Sequence, residues 1–159
     1  MLKFAVIALV LVTQTVFAFE DKYPKNPNPN LTPGELCDHA DTYRYPERIA
    51  YCERNVDTYA KRAVIANYDA QLGYRIRSMS RGDFKIDHYI PLCMGGSNRP
   101  TNLWPQHKSV YTITDPLEAL LCEKMAEGRL KQADAIDMIK EAKNDLAHAH
   151  DVLRRAHSL

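Results

Sequence analysis

The sequence contains no Cys-x-x-Cys pair, no internal repeat and no dominance of one charge sign. Without the Cys-x-x-Cys spacing, a zinc ribbon or a thioredoxin-type redox site is disfavoured. Twenty-one basic side chains against 20 acidic ones leave a formal charge of +1, so net charge says little about partners, although a local basic face can bind phosphates without a basic chain. Beyond the first 18 residues no apolar run approaches the roughly 20 residues that span a bilayer. There is a single tryptophan, Trp104, and its surroundings turn out to be the most informative part of the chain.

What is present begins with Met1 to Ala18, where Lys3 precedes an apolar run from Phe4 to Val12 and Val16 and Ala18 are small residues at signal-peptidase spacing. Residues 1–18 therefore read as a secretory signal peptide cleaved before Phe19, with a membrane anchor as the rival reading. Export, to the periplasm or the medium, gives meaning to the even cysteine count. Cys37, Cys52, Cys93 and Cys122 are expected to be disulfide-bonded. Three pairings are open; Cys37–Cys52 with Cys93–Cys122 is favoured because each bridge closes a local loop. Residues 19–34, with Pro24, Pro27, Pro29 and Pro33, form an extended leader that cannot be helical. Residues 35–159 are then a single domain, expected to be monomeric and without stable membrane association.

Apolar spacing predicts a helix over residues 58–72, stopped by Gly73. Phe84 to Ile90 reads as a strand ending at Pro91, Cys93 to Thr101 as a loop freed by Gly95-Gly96, and Leu103-Trp104 as a second short strand. Asp115, with Pro116 and Glu118 behind it, is expected to cap a helix running to Glu127. From Lys131 onward the pattern predicts one long amphipathic helix carrying Ile136, Ile139, Leu146, Val152 and Leu153 inward. The fold class is α+β.

The stretch from Lys85 to His107 holds the chemistry. His88 directly follows an acid inside a strand-like run, and an imidazole there is a natural general base for activating water. Asp87 points to the opposite face of an extended strand, so the strand end must twist if the carboxylate is to hold a cation beside that base. An asparagine on the returning strand could pin the loop or orient the histidine. A histidine base beside a metal suits phosphodiester hydrolysis. Between Lys61 and Arg99 seven basic residues face three acids. Of these, Arg75, Arg77, Arg81, Lys85 and Arg99 are candidate phosphate contacts, although charge alone favours an ordinary solvated surface. Trp104 reads as a core anchor, Asn98 as a turn former, and His148, His150 and His157 as solvated residues of the last helix.

Asp87-His88, Ile90-Pro91-Leu92, Gly95-Gly96, Asn98 and Asn102-Leu103-Trp104-Pro105 resemble the HNH signature of the His-Me finger (ββα-metal) endonucleases, in an exported bacterial branch with an Asn-Leu-Trp-Pro ending. The resemblance covers residues 84–107 and extends loosely through Asp115-Pro116-Leu117-Glu118. It implies a small ββα-metal core with flanking helices. His88 would be the general base, Asn102 the middle asparagine and Asp87 a ligand of one divalent ion, Mg²⁺ before Mn²⁺, Zn²⁺ or Ni²⁺. The family's usual last-ligand position falls on Tyr111, which leaves His107 as the first choice and Glu118 as the second. The implied activity is metal-dependent cleavage of nucleic acid, DNA or RNA, with little sequence preference. The competing class is a disulfide-stapled extracellular binding module that keeps an inactive ββα core.

Overall fold

A computed structural model describes residues 22–159. The expected signal peptide, residues 1–18, and the start of the leader lie outside the described residues. The described chain is α+β, with four helices and two small antiparallel sheets.

Strands β1 (Thr42–Arg44) and β2 (Ile49–Tyr51) form an outlying hairpin. Its turn carries Tyr45 at φ 62° and Arg48 at φ 57°, closed by the Arg48 amide donating to the Tyr45 carbonyl at 2.9 Å. No Gly or Asn marks this turn, so the usual sequence signal for a hairpin is missing. Helix α1 (Thr58–Leu72) has the predicted bounds. Asp57 accepts from the Ala60 amide at 2.7 Å, and Gly73 ends the helix in the left-handed region at φ 75°.

Strands β3 (Phe84–His88) and β4 (Leu103–His107) pair antiparallel from Phe84 opposite His107 to His88 opposite Leu103. Trp104 is fully buried among Val64, Tyr68, Ile86 and Val110, as expected of an anchor. The proline-rich leader is non-helical, and it is laced onto this layer. Tyr68 Oη accepts from the Asn28 amide at 3.1 Å and pairs with the Thr32 hydroxyl at 2.7 Å, and that hydroxyl donates to the Leu103 carbonyl at 3.0 Å.

Helix α2 (Lys108–Ala126) follows β4 without a loop, which corrects the start predicted at Asp115. His107 is the cap: its Nδ1 accepts from the Ser109 amide at 3.1 Å. Pro116 lies inside the helix. It is exposed, as is Thr112, whose carbonyl would have accepted the missing N–H bond, so water can satisfy that carbonyl. The predicted long terminal helix is two, α3 (Gln132–Asn144) and α4 (Ala149–His157). The break is at Asp145, whose side chain accepts from the Ala147 amide at 2.9 Å and restarts the chain. Ile139 and Val152 still face a second core with Leu117, Leu121 and Met125.

Both favoured disulfides are formed: Cys37–Cys52 with Cα atoms 5.7 Å apart and Cys93–Cys122 at 5.9 Å. They fit an oxidising, extracellular compartment. Among the described residues no helix is long and apolar enough to cross a membrane.

Candidate active site at the end of β3

Alternation along β3 sends Lys85 and Asp87 to one face and Ile86 and His88 to the other. The structure gives the two candidate residues separate sets of partners.

On the Asp87 face, helix α2 presents Asp115 and Glu118, three residues apart and so on one side of the helix. A carboxylate oxygen from each of Asp87, Asp115 and Glu118 lies within 4.8 Å of the others. Two ammonium groups balance them. Lys143, from α3 and fully buried, donates to Asp87 Oδ2 at 3.3 Å, to Glu118 Oε2 at 3.3 Å and to the His88 carbonyl at 2.6 Å. Lys85 reaches both Asp115 oxygens at 2.7 and 2.8 Å and lies 3.6 Å from Asp87 Oδ1. Burial alone would raise the Asp87 carboxyl, but Lys143 and then Lys85 outweigh it and hold it below the usual carboxylate value. Glu118 ends above that value, because burial and the Asp87 charge exceed the pull of Lys143. Burial would lower Lys143, and the two carboxylates reverse that and raise it.

His88 is 3% exposed and clasped from the other side. Its Nε2 lies 3.1 Å from Asn98 Oδ1, and its Nδ1 lies 3.4 Å from Arg54 Nη1. The Asn98 amide is oriented by the backbone, since its Oδ1 also accepts from the Asn55 amide at 3.2 Å and its Nδ2 donates to the Glu53 carbonyl at 2.7 Å. Oδ1 therefore faces the ring, and Nε2 carries the hydrogen. Arginine has no acceptor, so Nδ1 bears the lone pair. Burial, helped by the Arg54 charge, takes the imidazole from 6.5 to about 4, against the opposing pull of the Asn98 bond and of Asp87.

Asn102 does not touch the ring. It is fully buried, accepts from the Ile90 amide at 2.9 Å and donates to the Ile90 and Ser97 carbonyls, both at 2.9 Å. Of the two roles open to it, it fills the loop-pinning one. Asn98 takes the ring-orienting one, which corrects its reading as a simple turn former. Gly96 is dictated by the same knot: a Cβ there would lie 1.8 Å from the Ile90 oxygen and 2.8 Å from Asn102 Nδ2.

The structure does not bring His107 to Asp87. It sits at the far end of the hairpin from His88, about 13 Å along the strand at the usual rise per residue. There it stacks on Tyr23 at 3.8 Å and caps α2. The second choice, Glu118, joins the cluster instead, together with Asp115, which was expected only as a cap. Of the five basic candidates, Lys85 is held by Asp115, and Arg99 is held by Glu35 and Asp38. Arg75, Arg77 and Arg81 are exposed on the segment between α1 and β3. Arg54 and Lys143 went unread in the sequence. Arg54 lies far from His88 along the chain, and Lys143 sits in what looks like an ordinary amphipathic helix.

The acidic cluster fits a hard divalent ion by its chemistry, since all its donors are oxygens. Lys85 Nζ already stands as a cation between Asp115 and Asp87. On the same face of β4, opposite Lys85, the buried Gln106 Oε1 is an acceptor with no hydrogen-bond partner. No protein-family model matches the chain, and no curated protein or solved structure matches it.

Proposed function

We propose that the protein is an exported, metal-dependent endonuclease of the His-Me finger type that hydrolyses phosphodiester bonds in nucleic acid with little sequence preference. In this reading β3, β4 and α2 are the ββα core. The observation that carries it is the state of His88: a buried, neutral imidazole with its tautomer fixed by Asn98 and its lone pair on Nδ1. With its value near 4, the ring is unprotonated at neutral pH and able to accept a proton. A phosphate bound beside it would raise its proton affinity.

The step is hydrolytic. A water oxygen attacks phosphorus as its proton passes to His88 Nδ1. The phosphorus–oxygen bond to the leaving group breaks, and the leaving oxygen takes a proton from solvent. Asp87, Asp115 and Glu118, on the face of β3 opposite the His88 ring, would hold the ion, whose positive charge would reach the phosphate only around the strand end. Lys143 holds Asp87 and the His88 carbonyl, and so fixes the strand end between the two groups. Exposed Arg75, Arg77 and Arg81 supply sequence-independent affinity.

The test is plasmid nicking by the mature protein with and without EDTA, beside His88→Ala. The parent should nick only when divalent metal is available. A folded His88→Ala should lose on the order of a hundredfold in rate or more. Near-parental cleavage by that variant would refute the assignment. A folded parent that never nicks DNA or RNA would leave the binding-module reading.

A further inference from the structure

Cys52 is bonded to Cys37, and two residues later Arg54 reaches the site from a segment outside the strand–loop–strand–helix unit. Glu53 and Asn55, on either side of it, are both tied to the Asn98 side chain. Its guanidinium is thus aimed by backbone on both flanks. Nη2 donates to the Ile86 carbonyl at 3.1 Å, and Nη1 lies 3.4 Å from His88 Nδ1.

Charge separates Arg54 from the other cations of the site. Lys85, Lys143 and Arg99 each sit on carboxylates. Arg54 has no carboxylate partner among the described residues, and it is exposed to solvent although the ring it touches is buried. A guanidinium has five N–H donors in a planar fork, and this one uses two of them. What remains is a preoriented positive fork with free donors, set over the one nitrogen of His88 that bears a lone pair. An anion there would be held in two-point contact, the pairing that guanidinium and phosphate favour.

We propose that Arg54 is the phosphate-binding residue of this site, holding the phosphodiester against Nδ1 of His88. The proposal rests on the endonuclease reading for its substrate. In the free protein the guanidinium covers Nδ1. When phosphate engages the fork, the guanidinium moves onto the phosphate oxygens, and Nδ1 is left to water at the position from which phosphorus is attacked. The Cys37–Cys52 bridge, which closes the hairpin just before Arg54, belongs to the site through this residue.

The experiment follows ring nitrogens and binding together. The mature protein, labelled with ¹⁵N-histidine, is titrated in EDTA with a short deoxythymidine oligonucleotide, which it cannot then cleave. Long-range ¹H–¹⁵N spectra report His88, and fluorescence anisotropy reports affinity. The free parent should show His88 protonated on Nε2, and the oligonucleotide should shift its Nδ1 signal. Arg54→Gln should bind about tenfold or more weakly, as loss of a charged two-point contact implies, and its Nδ1 signal should not respond. Arg54→Lys should recover only part of the affinity, and it decides the question by the same criteria if Arg54→Gln does not fold. An unmoved Nδ1 in the parent, or the parental affinity and shift in both variants, would overturn the proposal. Plasmid cleavage in Mg²⁺ separates the two readings. A parent that binds through Arg54 yet never nicks keeps Arg54 as an anion site and removes the nuclease. A parent that nicks, beside an Arg54→Gln with unchanged kcat and KM, keeps the nuclease and removes Arg54.

Discussion

His88 and Lys143 are both buried and ionisable, and they resolve burial in opposite ways. Lys143 keeps its charge because two carboxylates and a carbonyl surround its ammonium group. His88 gives up its charge because burial disfavours the imidazolium and the Arg54 cation adds to that, together outweighing the Asn98 bond and the Asp87 charge. That difference has a measurable consequence for stability. An unfolded His88 takes a proton as pH falls through 6.5, whereas the folded one refuses it until about pH 4. Between those limits the unfolded state binds more protons, so stability rises with pH and falls on acidification. The loss over the window should be about 3 kcal/mol, since each pH unit between the two values contributes about 1.36 kcal/mol. Urea unfolding of the parent and of His88→Gln across pH 6.5 to 4 checks this. The variant should lack that part of the slope, and parallel curves would show that His88 titrates in the folded state as it does in the unfolded. Asp87 acts lower on the scale: its depressed value gives stability above 3.8 that disappears as pH falls further, so the two windows are distinct.

At the scale of elements, legibility followed the range of the forces involved. Helix α1 was readable because both its apolar spacing and its stop at Gly73 are local; the Asp57 cap, equally local, fixes the same start. So were β3 and β4, whose alternation and flanking glycines lie within one short stretch. The start of α2 was misread because Asp115-Pro116 imitates a helix start. In the fold Asp115 is turned outward to Lys85, and the cap is a histidine in an apparently strand-like run well before it. The loop between β3 and β4 shows what the glycine pair was for. Gly95 takes φ 84°, and Gly96 must be bare to let Asn102 reach both the amide and the carbonyl of Ile90. Gly96→Ala should therefore break a buried knot of side-chain bonds, at a cost of about 1–3 kcal/mol for each partner left unsatisfied. Gly82→Ala is the control, since its nearest neighbour would be 3.9 Å from the new Cβ. Thermal unfolding of the two variants checks the contrast. Equal melting temperatures would mean that the loop has room to open without penalty.

At the scale of the whole molecule, the described residues form two apolar centres. One lies under α1, β3 and β4, and the other among α2, α3 and α4. The loop between β3 and β4 belongs to the second although its strands belong to the first, with Ile90 and Met94 buried among the helices. Cys93–Cys122 ties that loop to α2 at the crossing, and Lys143 ties α3 to the end of β3. The disulfide was legible because both bridges close short loops. The lysine was not, because its partners are fixed only when the third helix docks. If the bridge holds the two centres in register, its removal should act locally as well as globally. The double variant Cys93→Ala, Cys122→Ala should lose about 2–5 kcal/mol, the usual cost in small secreted domains. Amide exchange should rise first at Met94, Gly95 and Gly96, whose N–H groups bond to the Leu92 and Pro91 carbonyls within the loop. Amides of α1 should exchange only with global unfolding. The parent should show no free thiol by non-reducing mass spectrometry, with Cys93 linked to Cys122. Uniform acceleration across α1 and the loop would mean that the bridge stabilises the chain without holding the loop, and the loop would then depend on Asn102 and Lys143 rather than the bridge for its place beside β3.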